Sequence, residues 1–295
     1  MIPAMLVSAA LISGLGLGSM YGLLALGFHV TYAVSRTVNF AQGATMMLGA
    51  VACFTGWATW GLPLWLAIVV ALAVATLWSV AVEQIAVRPF VKAGSESWLM
   101  ATVALGIVLE NVVLFTFGKD PRGMPPGGLT TSSITLAGIQ VQLLQLLIPV
   151  VGLGLAAGLH LLLQRTKFGK AMSATVQNPA AAQLMGIDIK GITTAAFAMS
   201  GFLAGVAGIL VAPLFSVSST MGTLFGIKAF AVAILGGITS AWGVVLAGLI
   251  YGCIEALITA LLGSTYTQIL SFALVILVLV IRPNGLFGRA ETRKV

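Results

Sequence analysis

Arg165–Lys190 reads RTKFGKAMSATVQNPAAAQLMGIDIK, and it is the longest piece of the chain that would sit poorly in lipid. Arg165, Lys167, Lys170 and Lys190 lie in it, and long apolar segments flank it on both sides. That pattern describes a water-exposed loop between membrane helices. Basic loops stay on the side from which helices are inserted, so this one is expected in the cytoplasm. Inside it Asn178 is a good helix N-cap and Pro179 suits the first helical position; Ala180, Ala181, Ala182, Gln183, Leu184 and Met185 favour helix, and Gly186 is a stop. The stretch therefore encodes a short, self-capped helix outside the bilayer.

The rest of the chain sets the class. Of its 295 residues 59% are hydrophobic and 7% charged, and the mean hydropathy is +1.11, which leaves too few polar groups to clothe a soluble globule. The uncharged runs Met1–Ser35, Thr37–Val82, Gly191–Ile227, Ala229–Ile254 and Ala256–Ile281 each exceed the roughly 20 residues that one helical crossing needs. The expected fold is all-α, a polytopic transmembrane helical bundle of about 8–10 membrane segments. The net charge of +7 is then loop bias and attraction to anionic headgroups, with no patch to support nucleic-acid binding. Cys53 and Cys253 fall inside apolar runs as structural thiols. The first apolar segment is longer than a signal-peptide core and lacks a basic start, so it is expected to stay in the mature protein.

In chain order, Leu6–Val34 is the first segment, with Gly14, Gly18 and Gly22 on one face, a spacing that permits close helix approach in lipid. Arg36–Gly43 interrupts it with polar residues. It is either a cytoplasmic turn or an unwound stretch at membrane depth lining a cavity, the one setting where broken backbone survives there. The further segments are Thr45–Trp60, Leu64–Val87, Trp98–Phe117, Leu143–Leu163, Gly191–Pro213, Ile227–Ile238, Trp242–Leu262 and Gln268–Ile281. Gly118–Gln140 reads as an outer loop with a short strand or hairpin, from its turn residues and the alternation of Ile134, Leu136, Ile139 and Val141. Leu214–Gly226 reads as a second outer loop.

Ile227–Ile238 is short enough for a re-entrant hairpin, but a basic tail containing Arg282, Arg289, Arg293 and Lys294 reaches the cytoplasm only if it crosses. The resulting nine-crossing scheme leaves Lys119, Arg122 and Lys228 on the outer side. A faint internal echo links Asn39–Gly49 with Lys228–Gly237, each placing an aromatic and small residues before an apolar-Gly turn.

Several motifs in order resemble one family: GLLALGFHVTYAVSRTVNFAQGATMMLGA at Gly22–Ala50, the Arg88-Pro89 step, and TKFGKAMSATVQNPAAAQLMGIDI at Thr166–Ile189. FAMSGFLAGVAGILVAPL at Phe197–Leu214, KAFAVAILGGITSAWGVVLAGLIYGCIE at Lys228–Glu255 and RPNGLFG at Arg282–Gly288 belong with them. Over nearly its whole length the chain resembles the permease subunits of ABC importers for branched-chain amino acids, the LivH type. The resemblance implies a single transmembrane permease domain over residues 1–295, with a cytoplasmic loop at 164–190 and an extracytoplasmic loop at 118–141. It implies a multi-pass protein of the bacterial inner membrane that pairs with a second permease subunit, a LivM-like homologue or a copy of itself. Two cytosolic ABC ATPases and a periplasmic solute-binding protein complete the machine, with membrane lipid around it and no cofactor in this chain.

Under that resemblance Asn178, Pro179, Ala180, Ala181, Ala182 and Gly186 match the Ala-rich, Gly-ended coupling helix that seats in the ATPase. Members of the family commonly have His after the Asn-Phe-Ala triplet; Gln42 stands there in this chain and keeps a hydrogen-bonding group while removing a titratable one.

For the translocation pathway the candidates are Asn39, Gln42 and Glu255, because polar groups at membrane depth are costly unless they pair or face water. The competing expectations are a cytoplasmic turn for Asn39 and Gln42 and a structural polar contact for Glu255. Glu110 and Asn111 lie near the outer end of their segment and are expected to snorkel or make a structural hydrogen bond, while Lys228 reaches outer headgroups. Trp57, Trp60, Trp65 and Trp98 are expected as interfacial anchors.

Catalytic signatures do not assemble. His29 and His160 have no carboxylate or cysteine at ligand spacing, and no phosphate-binding Gly-x-x-x-x-Gly-Lys-Ser/Thr loop occurs, so any ATPase is another polypeptide. The reading from another class is a stand-alone carrier or intramembrane enzyme using Glu110 and Glu255 as isolated carboxylates.

Overall fold

The computed structural model describes residues 2–125, 132–136 and 139–288. Helix dominates: α1 (Ile2–Ser35), α2 (Gln42–Phe54), α3 (Leu64–Val82), α4 (Arg88–Lys92), α5 (Trp98–Phe117), α6 (Leu143–Arg165), α7 (Lys167–Gln177), α8 (Pro179–Leu184), α9 (Ile189–Val211), α10 (Met221–Gly236), α11 (Ala241–Leu262) and α12 (Ser264–Ile281). The described strands are β1 (Ser133–Leu136) and β2 (Ile139–Gln142), an antiparallel hairpin with Ser133 opposite Gln142 and Ile134 opposite Val141. The expected outer loop thus contains the hairpin that its alternation announced.

Among the described residues 7 helices are long and apolar enough to cross a membrane, and Met221–Gly236 is a shorter apolar one. The chain is an all-α, multi-pass membrane protein. Of the expected segments, the second and the seventh are the short ones.

The helices form two compact units. A middle unit takes Val30–Pro125 and Ala157–Ile227; a terminal unit takes Met1–His29, Pro126–Ala156 and Lys228–Val295.

In the middle unit α3, α5 and α9 pack around α2. Nearly all of its residues are buried, which small neighbours make possible. On α9, the small residues Gly201, Gly205 and Gly208 let backbones touch: a Cβ on Gly49 would lie 2.8 Å from Gly205 Cα, and one on Gly208 would run into Met46 O. Ala67, Ala71, Ala75 and Ser79 form a buried stripe at four-residue spacing on α3, with Ser79 Oγ donating to Phe197 O at 2.7 Å. Close approach of this kind replaces the hydrophobic drive that lipid does not supply between helices.

Three expectations about boundaries are corrected. Leu214–Gly226 is not all loop: α10 begins at Met221, because Gly222 and Gly226 are a contact stripe against Gly43 rather than turn residues. The helix from Leu64 does not stop at Arg88-Pro89; a π-helical turn, Glu83–Val87, carries it on to Lys92. Such a widened turn gives a proline's missing N–H a place within a continuing helix. The basic loop also holds one more helix than expected, α7.

In the terminal unit the Gly14, Gly18, Gly22 face of α1 lies against α11, where a Cβ on Gly18 would sit 2.6 Å from Gly248 O. Gly263, at φ +88, turns α11 into α12, and Thr259 and Thr267 hydroxyls meet at 2.9 Å. The RPNGLFG run folds back on α10: Leu286 N donates to Leu235 O at 2.7 Å. Arg289, Arg293 and Lys294 lie outside the described residues.

Candidate functional site

From Thr166 onward the chain is a relay of three helices, α7, α8 and α9, each started by its own side-chain cap. Thr166 Oγ1 accepts from Gly169 N at 3.0 Å at the start of α7. Asn178 Oδ1 accepts from Ala181 N at 3.0 Å at the start of α8, and Asp188 Oδ1 accepts from Lys190 N at 3.1 Å at the start of α9. Each cap satisfies an orphan donor and is worth about 1 kcal/mol.

Pro179 occupies the first turn of α8 as expected, and Met185 is its C-cap rather than its last residue. Gly186 follows at φ +83 with open space around it. Only glycine takes that left-handed geometry without strain, so the helix ends sharply there.

Of the predicted alanines, Ala180 and Ala181 are exposed and Ala182 is buried. Sequence reasoning missed the side chains that stand out most: Leu184 is 90% and Met185 83% exposed. Two large apolar groups beside a polar, basic loop were the available signal.

Asn39 and Gln42 are both fully buried in the middle unit. The polar stretch before them begins at Arg36, which has φ 55, an uncommon conformation for a residue with a side chain. Asn39 Oδ1 accepts from Ala41 N at 3.1 Å, and its Nδ2 has no hydrogen-bond partner among the described residues. Gln42 is matched reciprocally: Ser200 Oγ donates to its Oε1 at 2.9 Å, and its Nε2 donates to Ser200 O at 3.2 Å. This staple fixes the first turn of α2 to the middle of α9.

Glu255 is also buried, in the terminal unit, and it is not isolated. Lys228 of α10 is buried beside it, and its Nζ forms an ion pair with Glu255 Oε1 while lying 5.9 Å from the Tyr21 ring centre. The expectation that Lys228 reaches outer headgroups is therefore corrected: a lone cation and a lone anion in successive apolar segments pair, since lipid and protein interiors penalise each alone. Glu255 Oε2 and Tyr251 Oη keep no hydrogen-bond partner among the described residues.

Glu110, the other carboxylate, accepts from Thr223 Oγ1, and Asn111 Nδ2 donates to Ile107 O at 2.8 Å. Both make the structural hydrogen bonds expected of them. His29 Nδ1 donates to Ile238 O at 2.7 Å, and among the described residues no group of three His, Cys, Asp or Glu side chains could hold a metal.

A polar cluster in the middle unit went unrecognised. Arg88 clamps buried Glu83 with two hydrogen bonds of 2.9 and 2.8 Å and donates to Thr194 Oγ1 at 2.7 Å. The clamp ties the π-helical turn after α3 to α9. Beside it opens a cavity of about 500 Å³ whose lining includes Ser35, Val91, Lys92, Gln183, Asp188 and Lys190. The five-residue spacing of Glu83 and Arg88 hid the pair, because it matches a π-helical turn rather than an α-helical one.

The geometry describes buried polar staples and a capped, exposed helix. Residues 10–279 match the family model described as branched-chain amino acid transport system, permease component. The chain is 33% identical to the high-affinity branched-chain amino acid transport system permease protein BraD of Pseudomonas aeruginosa, over 97% of each chain. It is 30% identical to the LivH permease of Escherichia coli K12, over 96% of each. Its fold is similar to the solved structure of PsaBC from Streptococcus pneumoniae in complex with Fab, with TM-score 0.50 and 12% identity over 96% of this chain and 97% of that one. The chain belongs to the family of permease components of branched-chain amino acid transport systems.

Proposed function

We propose that the chain is one membrane subunit of an ATP-driven importer in a bacterial inner membrane, and that it carries branched-chain or related apolar amino acids inward. Its partners in this reading are a second permease subunit, LivM-like or identical, two cytosolic ATPases and an extracytoplasmic binding protein that delivers the solute. Residues 164–190 face the cytoplasm and 118–141 the opposite side of one permease domain spanning residues 1–295.

The observation that carries the reading is α8, a doubly delimited helix that leaves Leu184 and Met185 exposed. Exposed apolar side chains of that size mark a surface made to be covered. An ATPase cleft receives the small, exposed Ala180 and Ala181 closely, with Leu184 and Met185 as anchors. Movement of α8 passes through Gly186 and the Asp188 cap into α9, and from α9 into α2 through the Gly seam and the Gln42–Ser200 staple. Asn39, Gln42 and Glu255 are the pathway residues of this scheme, since their side chains place polar atoms among apolar helices. Glu110 and Glu255 are each engaged by a partner, Thr223 and Lys228, so neither stands as the lone carboxylate that proton chemistry in a solitary carrier would use.

Co-purification in detergent with the candidate ATPases, read by subunit stoichiometry, tests the assembly. A stable complex containing two ATPases is expected; a chain that transports amino acids without them overturns the reading.

A further inference from the structure

The cavity beside the Arg88–Glu83 clamp is lined from two sides that the proposed mechanism moves relative to one another. Val87, Val91 and Lys92 come from the end of the α3–α4 helix, while Gln183, Asp188 and Lys190 come from α8 and the start of α9. Its volume of about 500 Å³ lies in the range of small-molecule sites.

Its chemistry is mixed in a particular way. Glu83 matches the charge of Arg88 by the two-hydrogen-bond clamp, which leaves Lys92 and Lys190 with Asp188 in the same cavity as Val87, Val91, Ile187 and Ile189. A cationic pair, one carboxylate and a branched aliphatic wall complement a zwitterion with a branched apolar side chain. A phosphate group alone would leave Asp188 repelling it and the aliphatic wall uncovered.

We infer that this cavity is a product-sensing site: an apolar α-amino acid on the cytosolic side sits with its carboxylate toward Lys92 and Lys190, its ammonium toward Asp188 and its side chain on Val87, Val91 and Ile187. The inference rests on the cytoplasmic placement of α8 proposed above. A ligand that touches both walls stabilises the arrangement in which they stand as they do here, and disfavours any state in which α8 shifts. Accumulated product thereby slows its own import.

The test uses the complete complex in vesicles enclosing ATP, with the cytosolic side of the chain inward and external labelled leucine supplied on the binding protein. Vesicles are preloaded with unlabelled leucine or with glycine. Enclosed leucine is expected to lower the initial uptake rate about tenfold, within the ordinary range of coupling between two sites, and glycine to leave it unchanged. Lys92→Gln and Lys190→Gln each remove one carboxylate partner, and the double variant removes both. All three should import at the normal rate from empty vesicles and lose the inhibition.

Inhibition that persists in all three variants overturns the inference, as does unimpeded uptake by the unaltered complex into leucine-loaded vesicles. Repeating the assay with and without anionic lipid separates headgroup binding: a rate that follows lipid charge and ignores enclosed leucine also overturns it. Absence of any ATP-driven uptake by the unaltered complex would strike the functional reading instead.

Discussion

Two buried polar pairs, one in each unit, are held among apolar helices by different chemistry. In the middle unit Gln42 and Ser200 exchange two neutral hydrogen bonds across the α2–α9 seam. In the terminal unit Lys228 and Glu255 form a buried ion pair between α10 and α11, with one carboxylate oxygen left over. The neutral staple satisfies itself and asks little of its surroundings. The ion pair is worth little as a net attraction after desolvation, yet losing one member strands a charge.

That contrast predicts a ranking. Lys228→Met should be the most damaging change, costing about 3–5 kcal/mol because Glu255 is left buried and unpaired; thermal unfolding of the purified complex in detergent measures it. Lys228→Met combined with Glu255→Gln should recover most of that loss, and a double variant as unstable as the single one would show that the charges are not each other's main partner. Gly208→Val presses a branched side chain toward Met46 O and should cost about 1–3 kcal/mol, as overpacking does, seen as a lower Tm.

Gln42→Leu leaves Ser200 without its partner and should cost about 1–2 kcal/mol. A loss as large as that of Lys228→Met would erase the distinction between the two sites. The smallest effect on folding is expected from Asn178→Ala, about 1 kcal/mol for the lost cap, but this variant should lower ATP-driven uptake more than Gln42→Leu does, because it loosens α8. Equal uptake by the two would separate the cap from coupling.

The sequence made the long helices legible because an apolar run bounded by charge has few alternatives in lipid: Trp98–Phe117 and the end of α11 at Leu262 appear at the expected residues. The N-cap at Asn178, the stop at Gly186 and the Gly face of α1 were likewise readable from local chemistry. What escaped depended on partners far apart in sequence. Lys228 looked like a snorkelling cation until Glu255 was beside it, and Gly222 and Gly226 looked like loop residues until Gly43 lay against them. The Glu83–Arg88 clamp was hidden by a π-helical turn that hydropathy does not encode. Leu184 and Met185 counted as helix formers, and only the folded chain shows them exposed.

Docking, coupling and sensing all depend on which side of the membrane α8 occupies. Gln183→Cys, in a background where Cys53 and Cys253 are replaced, places one thiol on exposed α8. A membrane-impermeant maleimide applied to intact cells should leave it unlabelled and should label it only after the membrane is opened. Labelling in intact cells would contradict the cytosolic position of α8, and with it the docking, coupling and sensing assigned to that face.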